Sequence, residues 1–273
     1  MQISTLYQLK SQGKKNEHTI ALKNHTKRIE KSYSMKKELP SIKILGTAIT
    51  TATEEEVLEY IFKRLENPSE KFYIVTPNPE ILMLATRSKS FQDILNGATL
   101  SLPDGIGVLV AGRILKKQII GRINGTDLME KICEKASKKP IAMGFLGGSR
   151  GVAERASECL REKYPGLRVV FSSDEWTGPF KEHIDILFVA LGAPKQEEWI
   201  AKNLDTIDVT AAMGVGGAFD YASGKVKRAP VILRKAGLEW VFRLVRQPWR
   251  IRRQLVLPQF VLEVLKERIS SRQ

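Results

Sequence analysis

Residues 184–198 read IDILFVALGAPKQEE. The first eight are an almost unbroken apolar run rich in β-branched residues, the mark of a strand covered on both faces. Gly192-Ala193-Pro194 halts the run, and apolar positions return at helical spacing over 195–204. A strand hidden on both sides and followed at once by a helix belongs to a parallel sheet with helices against it. The same alternation extends in both directions along the chain. Further strands are predicted over 42–49, 71–76, 98–102, 140–147, 167–172 and 208–214. Helices are predicted over 53–66, 79–96, 104–116, 125–138 and 150–164. The pattern predicts an α/β protein, a Rossmann-like, mainly parallel sheet with helices on both faces.

Composition agrees with a folded domain of this kind. The 273 residues are 42% hydrophobic and 27% charged, which excludes wholesale disorder. Cys133 and Cys159 are too few and too far apart for a disulfide framework or a four-ligand zinc site, so a reducing cytoplasm is expected. No run of about 18 uncharged apolar residues exists to span a bilayer, and the N-terminus has no secretory pattern. The formal charge of +14 is uneven: residues 1–40 carry +6, residues 221–273 carry +10, and 41–220 carry −2. The excess is local to the ends and calls for an anionic counterpart such as lipid head groups or nucleic acid. Residues 1–40 read as a basic, disordered leader, 41–230 as the catalytic domain, and 231–273 as a basic, amphipathic helical appendage.

Parallel sheets bind ligands where the loops gather at the carboxyl ends of their strands. Five strand ends here combine a tight turn with polar side chains: 76–80, 103–107, 147–151, 191–197 and 214–220. Gly147–Gly151 follows a strand and opens a helix, so Gly148, Ser149 and Gly151 suit a diphosphate cradle. The loop is not the dinucleotide fingerprint, because position 146 is leucine, and no P-loop lysine follows it. An NAD-dependent oxidoreductase on the same sheet is therefore disfavoured. Asp174 or Glu175, after the next strand, stands where ribose hydroxyls are often held, with Trp176 near a base. Asp104 has two readings, a proton acceptor beside Gly105 and Gly107 or an N-cap of the helix that follows. His18 and His25 fall in the leader and His183 in a polar turn, so neither a Ser-His-Asp triad nor a histidine metal site is expected. No Asp-x-Asp pair is present to hold a divalent ion, so if a diphosphate leaves during a reaction its charge must be met by Arg or Lys, with Arg122 and the C-terminal arginines as candidates, and by helix termini and backbone N–H groups. Gln196, at a helix start, is placed to orient a sugar hydroxyl or a phosphate oxygen.

The strings TPNPE, PDGIGV, RINGTDL, FLGGSRGVA, LGAPKQEEWI, GVGGAFDYASGKVKRAP and GLEWVFRLVRQPWRIRR, in this order from about Ile42 to the C-terminus, resemble the WecG/TagA/CpsF family of bacterial glycosyltransferases. The resemblance implies an inverting transfer, without metal or other cofactor, of a sugar from a UDP donor to a polyprenyl-diphosphate-linked sugar. In the wall teichoic acid branch the sugar is N-acetylmannosamine and the acceptor carries N-acetylglucosamine; related branches use UDP-N-acetylmannosaminuronic acid or UDP-glucose. It implies that Asp104 is the base, that Thr76, Asn78, Arg122 and Gln196 line the cleft, and that Asp220 and the Gly148–Gly151 loop lie on the donor side. The segment DEWTGPF at 174–180 departs from the glycine- and tyrosine-containing pattern of many members, which bears on the nucleotide contacts. Arg243, Arg246, Arg250, Arg252 and Arg253, interleaved with Trp240, Phe242, Trp249 and Ile251 and followed by Phe260, Val261, Val264 and Leu265, suit an interfacial helix on an anionic membrane, or arginines that close over the site. Packing of this segment on the main domain is the alternative. The expected location is peripheral, on the cytoplasmic face of the cell membrane, and a homo-oligomer is left open. Nucleic acid is not an expected partner, because the motifs lie in the neutral body.

Overall fold

The structure, a computed structural model, describes residues 39–68, 70–178, 182–248, 251 and 255–271. Leu39–Gln273 forms one compact unit. Its centre is a sheet of six strands: β3 Phe72–Val75, β4 Leu100–Ser101, β5 Ala142–Gly147, β6 Arg168–Ser173, β7 Ile184–Ala190 and β8 Val209–Gly214. They run in the order β4-β3-β8-β7-β5-β6, with every pairing parallel. In β7 only Asp185 escapes burial, and its Oδ2 accepts the backbone N–H of Ala142, at the start of β5, at 2.7 Å. The strand anticipated over 42–49 is instead two, β1 Ser41–Ile44 and β2 Thr47–Thr50, paired antiparallel as a separate ribbon. The turn places Leu45 at φ 50° and Gly46 at φ 77°. A two-residue turn of this hand requires both centres in the left-handed region, and a leucine there hides the hairpin in the apolar alternation.

The helices are α1 Glu54–Glu66, α2 Pro79–Arg87, α3 Lys89–Asn96, α4 Ile106–Leu115, α5 Gly125–Ala136, α6 Val152–Lys163, α7 Lys195–Asn203, α8 Ala218–Ala222, α9 Val231–Lys235, α10 Glu239–Arg246 and α11 Val256–Ser270. In α1, Thr53 and Glu56 satisfy each other's backbone N–H groups as a capping box, and Val57, Ile61, Phe62 and Leu65 form its buried face. The single helix anticipated over 79–96 breaks at Ser88, which ends α2 in an extended conformation while its hydroxyl accepts the N–H of Phe91 and starts α3. The helix anticipated from 104 begins at Ile106, because Gly105 holds φ 86°.

The C-terminal segment is in part core. Phe260 and Val264 of α11 pack with Leu82 and Met83 of α2, Val108 and Ala111 of α4, and Ile44 and Ile49 of the hairpin. Polar ties register the contact: Glu267 accepts from the Leu45 N–H at 2.7 Å and pairs with Lys117 at 2.8 Å, and Arg87 donates to Gln259. Phe260 and Val264, anticipated to follow a membrane-facing stretch, thus cover the main domain because α2 and α4 present an apolar face that α11 matches. Phe260→Ala is expected to lower unfolding stability by about 3–5 kcal/mol, whereas Leu262→Ala, at a side chain 58% exposed, changes it by less than about 0.5 kcal/mol; urea denaturation of both variants measures the difference.

Candidate active site

The carboxyl ends of β3, β4, β5, β7 and β8 open into one cleft of about 560 Å³. Thr76 and Asn78 line it after β3, Asp104 after β4, Gly148 and Ser149 after β5, Leu191 and Gln196 after β7, and Val215 to Gly217 after β8. Asp220 comes from α8, Arg122 and Asn124 from the loop entering α5, and Glu239, Trp240 and Arg243 from α10. The crossovers run toward opposite edges of the sheet on the two sides of this point, from β3 to β4 and from β5 to β6, which is where an open parallel sheet leaves a crevice.

Asp104 is walled in by protein on all sides but the cleft, and desolvation pushes its carboxyl up to about 7. The Arg122 guanidinium and the Gly105 N–H pull it back down, while Glu239 and Asp127 push it further up. The capping role considered for Asp104 does not occur: Gly105 stands at the N-cap of α4, with no side-chain cap. Asp104 instead faces Asn124, whose Nδ2 donates to Oδ1 at 3.3 Å. The Asn124 Oδ1 accepts the backbone N–H groups of Thr126 and Asp127, capping α5, and also accepts from Arg228 at 3.3 Å.

Arg122 is anchored from the C-terminal segment, its Nη2 donating to the Arg234 carbonyl at 2.8 Å. Arg234 and Arg228 both pair with Asp127, at 3.2 and 2.8 Å, and Arg228 also pairs with Glu239 at 3.4 Å. Across the cleft, Arg243 lies over the Tyr221 ring and stands 4.0 Å from the Asp220 carboxylate. A Cβ on Gly217 would meet its Nη2 at 2.8 Å, so the absence of a side chain there admits the guanidinium. Lys225 Nζ donates to Ser149 Oγ at 3.1 Å and adds a cation on the glycine-loop side.

Several residues stand otherwise than the sequence suggested. The Gly148 N–H donates to the Ala190 carbonyl at 3.0 Å, so this loop is tied to β7 through a group assigned to phosphate. Gln196 is 2% exposed, with Oε1 accepting the Gly216 N–H at 3.0 Å and Nε2 donating to Glu197 at 2.8 Å. Its amide therefore holds the β8 loop rather than reaching for a sugar. Asn78 caps α2, its Oδ1 accepting the Ile81 N–H at 3.1 Å, and Thr76 Oγ1 donates to the Gly214 carbonyl at 3.3 Å, though both border the cleft. Gly151, Glu175 and Arg246 lie outside the lining. Glu175 is exposed beyond the edge strand β6, and Trp176 packs against Phe171 and Trp199 instead of bordering the cleft. Arg250, Arg252 and Arg253 lie outside the described residues, as does the leader up to residue 38.

Asn124, Lys225, Glu197 and Glu239 were not singled out from the sequence. Asn124 carried a readable signal, an asparagine just before Gly-Thr-Asp at a helix start; the other three acquire meaning only from their partners in space. Among the described residues, no group of three or more His, Cys, Asp or Glu side chains could hold a metal ion. Cys133 is buried, and desolvation pushes its thiol pKa up.

An acid–base group near neutrality, opposed across a strand-end cleft by guanidinium groups and a glycine loop, defines an α/β enzyme built for group transfer. The profile of the glycosyl transferase WecG/TagA/CpsF family matches residues 42–273, and the chain belongs to that family. The protein is a glycosyltransferase. It is 37% identical over 209 residues to an N-acetylglucosaminyldiphosphoundecaprenol N-acetyl-beta-D-mannosaminyltransferase of Bacillus spizizenii, covering 73% of this chain and 81% of the relative. A Bacillus subtilis protein of the same name is 32% identical, covering 77% of this chain and 85% of its own length. One from Staphylococcus aureus is 33% identical, covering 82% and 92%.

The charges around Asp104 set a test that needs no substrate. Carboxyl-labelled NMR titration is expected to place the Asp104 transition near 7. Arg122→Gln removes the cation that favours the carboxylate and moves the transition up; Glu239→Gln removes a repelling anion and moves it down.

Proposed function

We propose that the protein transfers N-acetylmannosamine from UDP to the N-acetylglucosamine of a diphosphoundecaprenol acceptor, at the cytoplasmic face of the membrane and without a metal ion. The reading rests above all on Asp104, a carboxyl raised toward 7 by desolvation and aimed into the cleft by Asn124. As the ionised carboxylate it accepts the proton of the acceptor hydroxyl while that oxygen bonds to the anomeric carbon. The bond to UDP breaks on the opposite face, so the configuration inverts and UDP departs with the bonding pair. Arg243, at the cleft wall, and Lys225, beside Ser149, are cations placed to meet the diphosphate at the strand-end loops. A preorganised donor of this kind is worth about 3 kcal/mol in a water-poor site. The relatives' names supply the donor sugar and the acceptor lipid, and the product fits cell-wall or surface polysaccharide synthesis.

UDP-sugars screened against a short-chain lipid-diphosphate-GlcNAc test the reaction directly. UDP-N-acetylmannosamine is expected to turn over with inversion and with no loss in chelator. Asp104→Asn should cut kcat by about 10²–10⁴-fold, and the parent's kcat/KM should climb through about pH 7 as Asp104 ionises. A variant as fast as the parent removes Asp104 as the base.

No described helix is long and apolar enough to cross a membrane, so attachment to a surface is the form consistent with a lipid-linked acceptor. The basic C-terminal segment exposes Ile232 by 80% and Val245 by 75%, side chains suited to dip among head groups whose phosphates the arginines meet. Sedimentation with anionic vesicles is expected to be salt-sensitive and weakened by Ile232→Glu or Val245→Glu; unchanged sedimentation of both variants would count against attachment through this segment.

A further inference from the structure

A second cavity, of about 270 Å³, opens against the catalytic cleft, and the two share Gly105 and Trp240 in their walls. It runs between α4 and α11, walled by Ile106, Val110 and Ile114 on one side and Phe260 and Val261 on the other. Among the described residues, no charged side chain lines it. Its floor exists because Gly107 lets α4 close onto α2: a Cβ there would stand 2.5 Å from Pro79 Cγ. Near the cleft, Gly237 packs against Ile106, where a Cβ would sit 3.2 Å from that of Ile106. Val110, Val261, Ile106 and Trp240 remain 39–40% exposed along the groove, while Ala111, Phe260 and Val264 beneath them are buried.

We propose that this groove binds the first isoprene units of the polyprenyl diphosphate acceptor, and thereby selects a lipid-linked over a free sugar. The proposal rests on the reaction put forward above. A polar, arginine-bearing cleft joined through a shared wall to an uncharged groove matches an amphiphile with an anionic head and an apolar tail. A membrane surface matches it less well, since the groove lies between two packed helices instead of facing outward as a flat patch. From Ile106 to Ile114 the α4 wall runs about 12 Å, long enough for roughly two extended five-carbon units. Transfer of such units from water into an apolar slot is favourable in proportion to the carbon surface covered. Gly105 joins the two compartments, so tail and sugar would be held on either side of the loop that carries Asp104.

The test separates tail binding from turnover. Calorimetric titration of the full chain, below micelle-forming concentrations and without vesicles, compares ethyl, geranyl and farnesyl diphosphate. Affinity is expected to rise at least about tenfold for each added isoprene unit that the groove covers, with an increasingly negative heat-capacity change. Val110→Glu and Val261→Glu should each erase that gain while leaving ethyl diphosphate binding and turnover of an ethyl-diphosphate-GlcNAc acceptor unchanged. Equal affinity for all three chains, or retention of chain-length dependence in both variants, overturns the groove assignment. So does a dimer seen in sedimentation that Val110→Glu dissolves, since a second copy would then be the occupant. Absence of turnover with every acceptor, alongside intact chain-length-dependent binding, would sink the proposed reaction and leave the lipid groove standing.

Discussion

The Asp104 end of the cleft depends on the Asn124 amide keeping one orientation. Its oxygen takes two first-turn N–H groups of α5 and the Arg228 guanidinium, so its nitrogen must face Asp104. Turning the amide over would set N–H against three donors and an oxygen against a carboxylate. At about 1 kcal/mol for each hydrogen bond lost, and more for the charged partner, that alternative is not populated. A helix cap thereby fixes a carboxylate, and the same Asp127 whose N–H is capped accepts Arg228 and Arg234 through its side chain. Helix start, acid and C-terminal segment form one network whose members support one another's geometry.

The electrostatics of Asp104 follow from that network. Burial alone would leave it protonated well above its ordinary range, and a proton acceptor needs the ionised form within reach. Arg122 supplies the counterweight and is held by the Arg234 carbonyl near the end of α9, while α10 contributes Glu239 with the opposite effect. Both charges that set the balance are thus positioned by residues beyond 230. This segment is a wall of the site as well as a candidate membrane contact, which explains why its charges are only partly turned outward.

The fold was legible where a single period governed a run of residues. The strand over 184–191, its partners at 140–147 and 208–214, and the capped helix at 53–66 carry patterns that tertiary contacts only reinforce. Failures occurred where two residues changed the local rule, as Leu45-Gly46 did by turning a strand back on itself and Ser88 by dividing a helix. The site was legible at the level of loops, since strand-end turns in a parallel sheet must gather at one rim. It was less legible at the level of atoms. Nothing in the string GGSRG shows that the Gly148 N–H answers to Ala190, and nothing in APKQE shows that Gln196 faces inward toward Gly216. The C-terminal charge suggested a membrane, while the burial of Phe260 and Val264 depends on an apolar face of α2 and α4 contributed from far earlier in the chain.

The two walls of the cleft are held by different means, and this bears on how two unlike substrates would meet there. On the sheet side the β8 loop is locked from within. Gln196 holds the Gly216 N–H, and Glu197, fully buried and pushed up to about 7 by desolvation, accepts from the Gln196 amide. The raised pKa lets the carboxyl take up a proton near neutrality, which lessens the cost of a buried charge. That wall rests on core packing and is set before any ligand arrives. The opposite wall, bearing Glu239, Trp240 and Arg243, rests on ion pairs between largely covered side chains, Arg228 with Glu239 at 3.4 Å and Arg243 with Asp220 at 4.0 Å. In the proposed reaction a soluble nucleotide sugar would meet the preformed wall. In that reaction a lipid-borne acceptor would meet the opposite wall, whose form depends on charge pairing and not on core packing.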